Sequence, residues 1–280
     1  MNILVVGSSG FIGSRLNKKL KESNHQVFES SRNKAEGKVQ VTAWEEMEIE
    51  SLEIDLVINA SGKYLKSSSL NNIKEIFDSN LGTAISISKS MKYISKGVLH
   101  LSSYFEFLPE LSENRKLHYT TAKILANEVL SEQSQLNEIS YSRIVLYDNY
   151  DIDLSRNKVV DTLIKSSISG EFIKINNEKT PINLIELNEI IDGIIKIIDS
   201  YESKDPIRGR IDLKSVESTN ILEIINLITR ISQKEFRYIN EGHELDTYLE
   251  KIIKDDSYRM DGFGEVIGVE SFIRKLLGKA

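Results

Sequence analysis

The sequence has no cysteine, and only three prolines, four histidines and one tryptophan. Without cysteine there is no disulfide, no thiolate metal ligand and no thiol nucleophile. The four histidines form no His-Glu-x-x-His pattern, so no zinc chemistry and no metal ligands are expected. No apolar stretch approaches the roughly 20 residues needed to span a bilayer, so no membrane partner is expected. Met1 to Val6 carries no basic region or cleavage pattern before a glycine turn. It is read as a first strand rather than a secretory signal, which makes the cytoplasm the expected location. An excess of positive charge is also missing. The 36 Lys and Arg are mixed among 42 Asp and Glu, for a net charge of -6. That excludes the basic face a nucleic-acid partner requires.

What is present is an ordinary globular composition, 40% hydrophobic and 28% charged over 280 residues. The length suits one large α/β domain, alone or with a small second lobe. Buried-strand runs are predicted at Asn2–Val6, His25–Glu29, Lys38–Thr42, Asp55–Ala60, Val98–Ser102 and Ile139–Leu146. Helical periodicity is predicted over Phe11–Lys21, Ile73–Ile94 and Tyr119–Glu132. Strands alternating with helices point to βαβ units in a parallel sheet. From about Asp151 the pattern becomes mixed. Helices are predicted at Val159–Ser169, Asn188–Asp199, Asn220–Ser232 and Val269–Leu277, with short strands at Glu171–Ile175 and Ile211–Leu213. The expected fold is therefore α/β: a Rossmann-like, doubly wound parallel sheet over residues 1–150, and a small mixed α/β C-terminal lobe over 151–280. Some of the later segments are expected to return to the first core.

Gly7-Ser8-Ser9-Gly10-Phe11-Ile12-Gly13 lies between the first strand and the first helix. Glycines there permit a tight turn and close approach of backbone to a pyrophosphate, and the helix start offers N–H groups and a positive dipole end. Gly7, Ser9, Gly10, Phe11, Ile12 and Gly13 are thus candidate cofactor-binding residues. The second strand is expected to end at Ser31-Arg32. A hydroxyl followed by a guanidinium suits a 2′-phosphate, which favours NADP(H). The alternative sets Glu29 on the ribose of NAD(H) and Arg32 in solvent.

Tyr119 and Lys123 are four residues apart on a predicted helix, so they share a face. A lysine ammonium beside the ring would favour phenolate and lower the tyrosine pKa from about 10, making it a usable general acid or base. The competing reading is a half-buried tyrosine with a solvated lysine. Ser103, at a strand's carboxyl end, lies where open α/β sheets bind ligands and is placed to hydrogen-bond a substrate carbonyl.

Taken in order, these segments resemble the extended short-chain dehydrogenase/reductases, also called the NAD-dependent epimerase/dehydratase family. Gly7 to Gly13 matches the cofactor turn, and Ser103, Tyr119 and Lys123 match the catalytic set. Asn59-Ala60-Ser61-Gly62 resembles the fourth-strand motif. Asn80-Leu81-Gly82-Thr83 resembles the Asn-x-x-Gly-Thr helix motif, one residue shorter. The stretch 181–190 and Asn220 to Ile224 continue the likeness along the chain. The resemblance implies cofactor contacts at Ala60, Ser61, Gly62, Asn80 and Lys123, substrate contacts at Ser103 and Tyr119, and a homodimer.

Within the family, Leu146 to Lys158 looks like the corresponding segment of sugar-nucleotide 4-ketoreductases such as CDP-abequose and CDP-paratose synthases. By that likeness Arg156 and Lys158 face a nucleotide diphosphate, and Asn149 is a further substrate-binding candidate. The alternative for the two cations is a solvated loop. Dehydratases of the family follow the catalytic hydroxyl with Asp-Glu, whereas here Tyr104-Phe105-Glu106 follows Ser103. The expected activity is reduction of a keto group on a nucleotide-linked deoxysugar with NADPH, with Tyr119 as proton donor. The alternatives are an NAD-dependent nucleotide-sugar epimerase, a reductase of a non-sugar carbonyl, and a non-catalytic dinucleotide sensor.

Overall fold

The computed structural model of the chain describes residues 1–65, 69–112, 115–151, 158–263 and 269–278. In chain order the first elements are β1 (Asn2–Val6), α1 (Phe11–Lys21), β2 (Gln26–Ser31), β3 (Lys38–Gln40) and β4 (Ile54–Asn59). They are followed by α2 (Leu70–Phe77), α3 (Thr83–Lys89), β5 (Ile94–Ser103), α4 (Leu117–Leu136) and β6 (Ser140–Leu146). Next come β7 (Asp148–Tyr150), α5 (Val159–Ser169), β8 (Ile173–Ile175), β9 (Pro181–Ile182), β10 (Leu184–Glu186) and α6 (Leu187–Ser200). The chain ends with β11 (Gly209–Leu213), β12 (Thr219–Asn220), α7 (Ile221–Ser232), β13 (Tyr238–Asn240), α8 (Thr247–Lys254) and α9 (Val269–Leu276).

Seven strands form one sheet in the order β11-β6-β5-β4-β1-β2-β3. The pairings β6-β5-β4-β1-β2-β3 are all parallel. This is the doubly wound order. The chain runs outward from β1 to β3 and then returns to β4 on the other side of β1, so the direction of winding reverses there. Such sheets are covered on both faces, which is why β1 and β4 are nearly continuous buried apolar runs and β5 is buried from Gly97 to Ser103. One cluster packs Leu4, Val6, Val57 and Val98 of the sheet against Ala84 and Ile87 of α3 and Ala126 and Leu130 of α4.

The chain divides into two compact units. The first holds residues 1–110, 115–146 and 191–211, and the second holds the described residues of 111–114, 147–190 and 212–280. The sequential part of the first unit closes at Leu146, before the expected 150, because β7 pairs in parallel with β10, Ile185 opposite Asn149. The second unit has its own core. Ile221, Ile224, Ile225, Ile228 and Ile231 form the buried stripe of α7. They pack with Leu163 and Ile164 of α5 and with Phe272 and Ile273 of α9. The i, i+3, i+4, i+7 spacing of those isoleucines is what makes α7 an amphipathic helix. Asn220 starts it, its side-chain oxygen accepting from the Glu223 N–H at 2.9 Å.

One expectation fails. The helix predicted over Ile73–Ile94 is interrupted by a π-helical turn at Asp78–Gly82, then ends in a 3-10 turn at Met91–Tyr93 before β5 begins at Ile94. The cause is local crowding. A Cβ on Gly82 would stand 2.9 Å from both Ala43 and the Trp44 ring, so the helix passes hard against the segment after β3. The widened turn places Asn80 inward, fully buried. Among the described residues no helix is long and apolar enough to cross a membrane.

Leu130 is completely buried where α4 meets the sheet. Leu130→Ala is expected to destabilise the protein by about 2–5 kcal/mol through lost transfer energy and the cavity left behind. Denaturant unfolding checks this, and an unchanged midpoint would contradict the packing described.

Candidate functional site

The turn after β1 is tied to β2 by paired serines. Gly7 has φ +84° and its N–H donates to the Ser30 hydroxyl at 2.9 Å, while the Ser8 hydroxyl donates to the Ser30 carbonyl at 2.9 Å. Gly13 is required by the turn itself, because a Cβ there would lie 2.1 Å from the Gly7 carbonyl oxygen. Gly10 differs. Its added Cβ would meet nothing within 4 Å except that same oxygen, at 3.2 Å. The bareness of Gly10 thus leaves a space at the start of α1, where Gly10 is the N-cap and gives no side-chain cap to the first-turn N–H groups. Ser9 is exposed and Phe11 and Ile12 are half-buried around that space. A cradle that a side chain would fill, at an uncapped helix start, fits a pyrophosphate.

At the end of β2 the candidates separate. Glu29 is held by Lys21 and by Lys38 at 2.7 Å, and these lysine hydrogen bonds, with one from Asn17, hold its carboxyl down at about 2. Ser31 is the last strand residue, and its carbonyl accepts from the Val41 N–H at 2.8 Å. Arg32 projects just beyond, its side chain 72% exposed and 4.0 Å from Glu75.

The second group gathers at the carboxyl ends of β4 and β5. Lys123, on the second turn of α4, is 3% exposed, which rules out the solvated lysine. Its ammonium donates to the Leu101 carbonyl at 2.8 Å and the Ser61 carbonyl at 3.2 Å. Burial pulls its pKa down to about 8, while the charge of Glu106 opposes that fall. Gly62 lies against the ammonium: a Cβ there would be 3.1 Å from Lys123 Nζ and 2.8 Å from Asn80 Oδ1. Asn80 donates to the carbonyls of Ile76 at 2.8 Å and Lys63 at 3.0 Å, but its buried Oδ1 has no hydrogen-bond partner among the described residues. Ala60 continues from β4, its N–H donating to the Val6 carbonyl at 2.9 Å. A buried acceptor beside a buried ammonium fits the hydroxyls of a ribose.

Tyr119 stands one turn before Lys123, half-buried, with its ring edge-on to Tyr64 at 5.8 Å. Ser103 ends β5, and its hydroxyl accepts from the Phe105 N–H at 3.5 Å as the cap of a short 3-10 turn. A hydroxyl that accepts there keeps its proton for donation.

Beneath these residues lies a buried polar layer that the sequence reading missed. Glu106 accepts from the Ser102 hydroxyl, from the Ser103 N–H at 3.2 Å and from Arg143, with which it forms an ion pair. It is therefore turned into the protein, away from any acid–base role. Its signal was present in Ser103-x-x-Glu106, the spacing of a capping box. His100, completely buried, meets Asn59 at 3.1 Å through Nδ1. Desolvation, then the charges of Lys123 and Arg143, hold it well below the ordinary histidine range, so it is neutral.

In the second unit, Lys158 Nζ donates to Asn149 Oδ1 at 3.1 Å, and the Lys158 N–H donates to Asp161 at the start of α5. Arg156 lies outside the described residues.

The burial of Lys123 carries a sign. Its folded pKa of about 8 lies below the ordinary lysine value of 10.5, so between those pH values the unfolded chain binds more protons and folding is progressively relieved of a desolvated charge. Relative to Lys123→Met, the cofactor-free wild type should gain on the order of 1–3 kcal/mol between these limits. Denaturation of both proteins across that range tests this, and a pH-independent difference would mean the ammonium is not desolvated.

The sequence profile of the NAD dependent epimerase/dehydratase family matches residues 3–208. CDP-abequose synthase of Yersinia pseudotuberculosis is 27% identical over 212 residues, which cover 71% of this chain and 74% of that protein. UDP-glucuronic acid 4-epimerase from Bacillus cereus, in complex with UDP-glucuronic acid and NAD, superposes with a TM-score of 0.75 at 16% identity, covering 100% of this chain and 98% of that one. UDP-glucose 4-epimerase of Thermotoga maritima, with UDP-glucose, gives 0.70 at 16% identity over the same shares. The chain belongs to the NAD dependent epimerase/dehydratase family and is an NAD(P)-dependent enzyme of the extended short-chain dehydrogenase/reductase type.

Proposed function

We propose that the protein reduces a keto group of a nucleotide-linked deoxysugar, at the 4-position, using NADPH. The observation that carries this reading is the buried Lys123 ammonium one helical turn from Tyr119, at the sheet edge beside the glycine turn. The curated relative named as a CDP-abequose synthase supports a sugar-nucleotide substrate. The pairing of Glu29 with two lysines, and the exposure of Arg32, support NADPH over NADH.

Gly7 to Gly13 hold the pyrophosphate, Ser31 and Arg32 the 2′-phosphate, and Ala60, Ser61, Gly62 and Asn80 the ribose side. When bound, the nicotinamide supplies the hydride. Ser103 and Tyr119 donate hydrogen bonds to the substrate carbonyl oxygen and thereby fix its orientation. Tyr119 gives its proton to that oxygen, and the Lys123 ammonium stabilises the phenolate left behind. Lys123 also donates to ribose hydroxyls, and the backbone carbonyls that hold it keep it from swinging to solvent. Lys158, whose ammonium already donates to Asn149, is assigned to the substrate's diphosphate, since a cation suits phosphate.

Tyr119→Phe is expected to lower turnover of a nucleotide-linked 4-keto sugar by about 10²–10⁴-fold, with cofactor affinity unchanged. Wild-type turnover by this variant would remove Tyr119 as proton donor. Purified wild type should carry no nicotinamide cofactor and should bind NADPH more tightly than NADH. Stoichiometric NAD(H) released on denaturation would instead favour an epimerase.

A further inference from the structure

Two cations and one carboxylate meet in the first unit where the dinucleotide's adenosine end is expected. Arg32 follows β2 and Lys63 follows β4. These strands are the two neighbours of β1 in the sheet, so the chain leaving their carboxyl ends flanks the Gly7 turn on both sides. Glu75, on α2, joins them: its Oε1 is 2.5 Å from Lys63 Nζ and 4.0 Å from Arg32 Nη1. All three side chains reach solvent, with Arg32 72%, Lys63 38% and Glu75 39% exposed. The Lys63 backbone is pinned, because Asn80 donates to its carbonyl at 3.0 Å. The neighbouring acid of α2, Asp78, is occupied by Trp44 at 2.8 Å and by Lys74. Glu75 is shared by two cations that follow different strands of the sheet.

We propose that Glu75 is a specificity-determining residue: an internal anion that stands where the cofactor's 2′-phosphate binds, and that Lys63 is the second cation, with Arg32, for that phosphate. This rests on the assignment of Arg32 to the 2′-phosphate. A phosphate monoester offers three oxygens and more charge than a carboxylate, so it engages both cations at once. To do so it displaces Glu75, which then repels it. NADH has no group that competes for the cations. With NADH bound, Glu75 keeps both cations neutralised beside the free ribose hydroxyl. The carboxylate therefore weakens NADPH selectively and sets how far the enzyme discriminates between the two cofactors.

The ion pairs involved are solvent-exposed and individually weak, so removing the competitor should change NADPH affinity by about three- to tenfold. The test is fluorescence titration of wild type, Glu75→Gln, Lys63→Gln and Arg32→Gln with NADPH and with NADH separately. Glu75→Gln should tighten NADPH by that factor and leave NADH unchanged. Lys63→Gln and Arg32→Gln should each weaken NADPH alone. If Arg32→Gln weakens NADPH while Glu75→Gln and Lys63→Gln leave the NADPH-to-NADH ratio unaltered, the proposal is overturned and the assignment of Arg32 stands. If wild type prefers NADH and Glu75→Gln weakens it, Glu75 binds the ribose itself, and both the proposal and the NADPH reading fall. If no variant changes either affinity, the adenosine end lies elsewhere and both fall together.

Discussion

A bare ammonium held in the interior by two peptide carbonyls is the constraint around which the first unit is arranged. An unpaired buried charge is expensive, and Lys123 reduces that cost through Leu101 and Ser61 rather than through a direct carboxylate contact. That choice has consequences in three directions. The carbonyls must come from the ends of β5 and β4, so α4 is fixed over both strands. Gly62 must lack a side chain, because one would occupy the space beside the ammonium and Asn80. The negative charge that bears on it, on Glu106, is tied to Arg143. The lysine thus stays chargeable without being neutralised, the condition in which it can stabilise a phenolate.

The lower layer explains how that arrangement keeps its shape. Asn59 of β4, His100 of β5 and Arg143 of β6 lie opposite one another in register across three strands. A neutral His100 avoids placing a third cation between Lys123 and Arg143. Glu106 then ties the end of β5 to β6, so the strand that carries Ser103 is held by charge as well as by the sheet ladder. The same economy governs the glycine turn, where the Ser8 hydroxyl donates to the Ser30 carbonyl and accepts from the Ser30 N–H, leaving the helix start to the ligand.

Much of this was legible in the residues. The β1 run, the glycine turn and α1 were readable because buried strand, turn and amphipathic helix follow one another without ambiguity. The α5 and α7 helices were likewise readable from their isoleucine and valine spacing. Tyr119 and Lys123 were readable because spacing of four on a helix has a geometric meaning. What stayed hidden depends on contacts between distant segments. The burial of Lys123 depends on carbonyls 22 and 62 residues away. The π-helical turn answers to Trp44, which periodicity along Ile73–Ile94 cannot register. The short pairs of the second unit, such as β7 with β10, are three residues long and carry too little pattern to read. The α8 helix was missed for a different reason. Its Asp246 cap and its buried Leu249 and Ile253 are ordinary signals, but only two apolar positions face the core.

The widened turn at Asp78–Gly82 also bears on how the chain can change in length. Each residue added to or removed from a helix rotates everything beyond it by about 100°. Asn80 points inward only because the turn holds its present number of residues, and α3 buries Ala84 and Ile87 only in the phase that follows. A substitution in this segment alters one contact, whereas a single-residue deletion swings the amide away from the lysine and turns the buried face of α3 toward solvent. The exposed turn before β3 bears no such phase relation and can gain or lose residues cheaply. Along this chain, tolerance of insertions is therefore lowest in the middle of a helix, where sequence length itself encodes the position of a functional group.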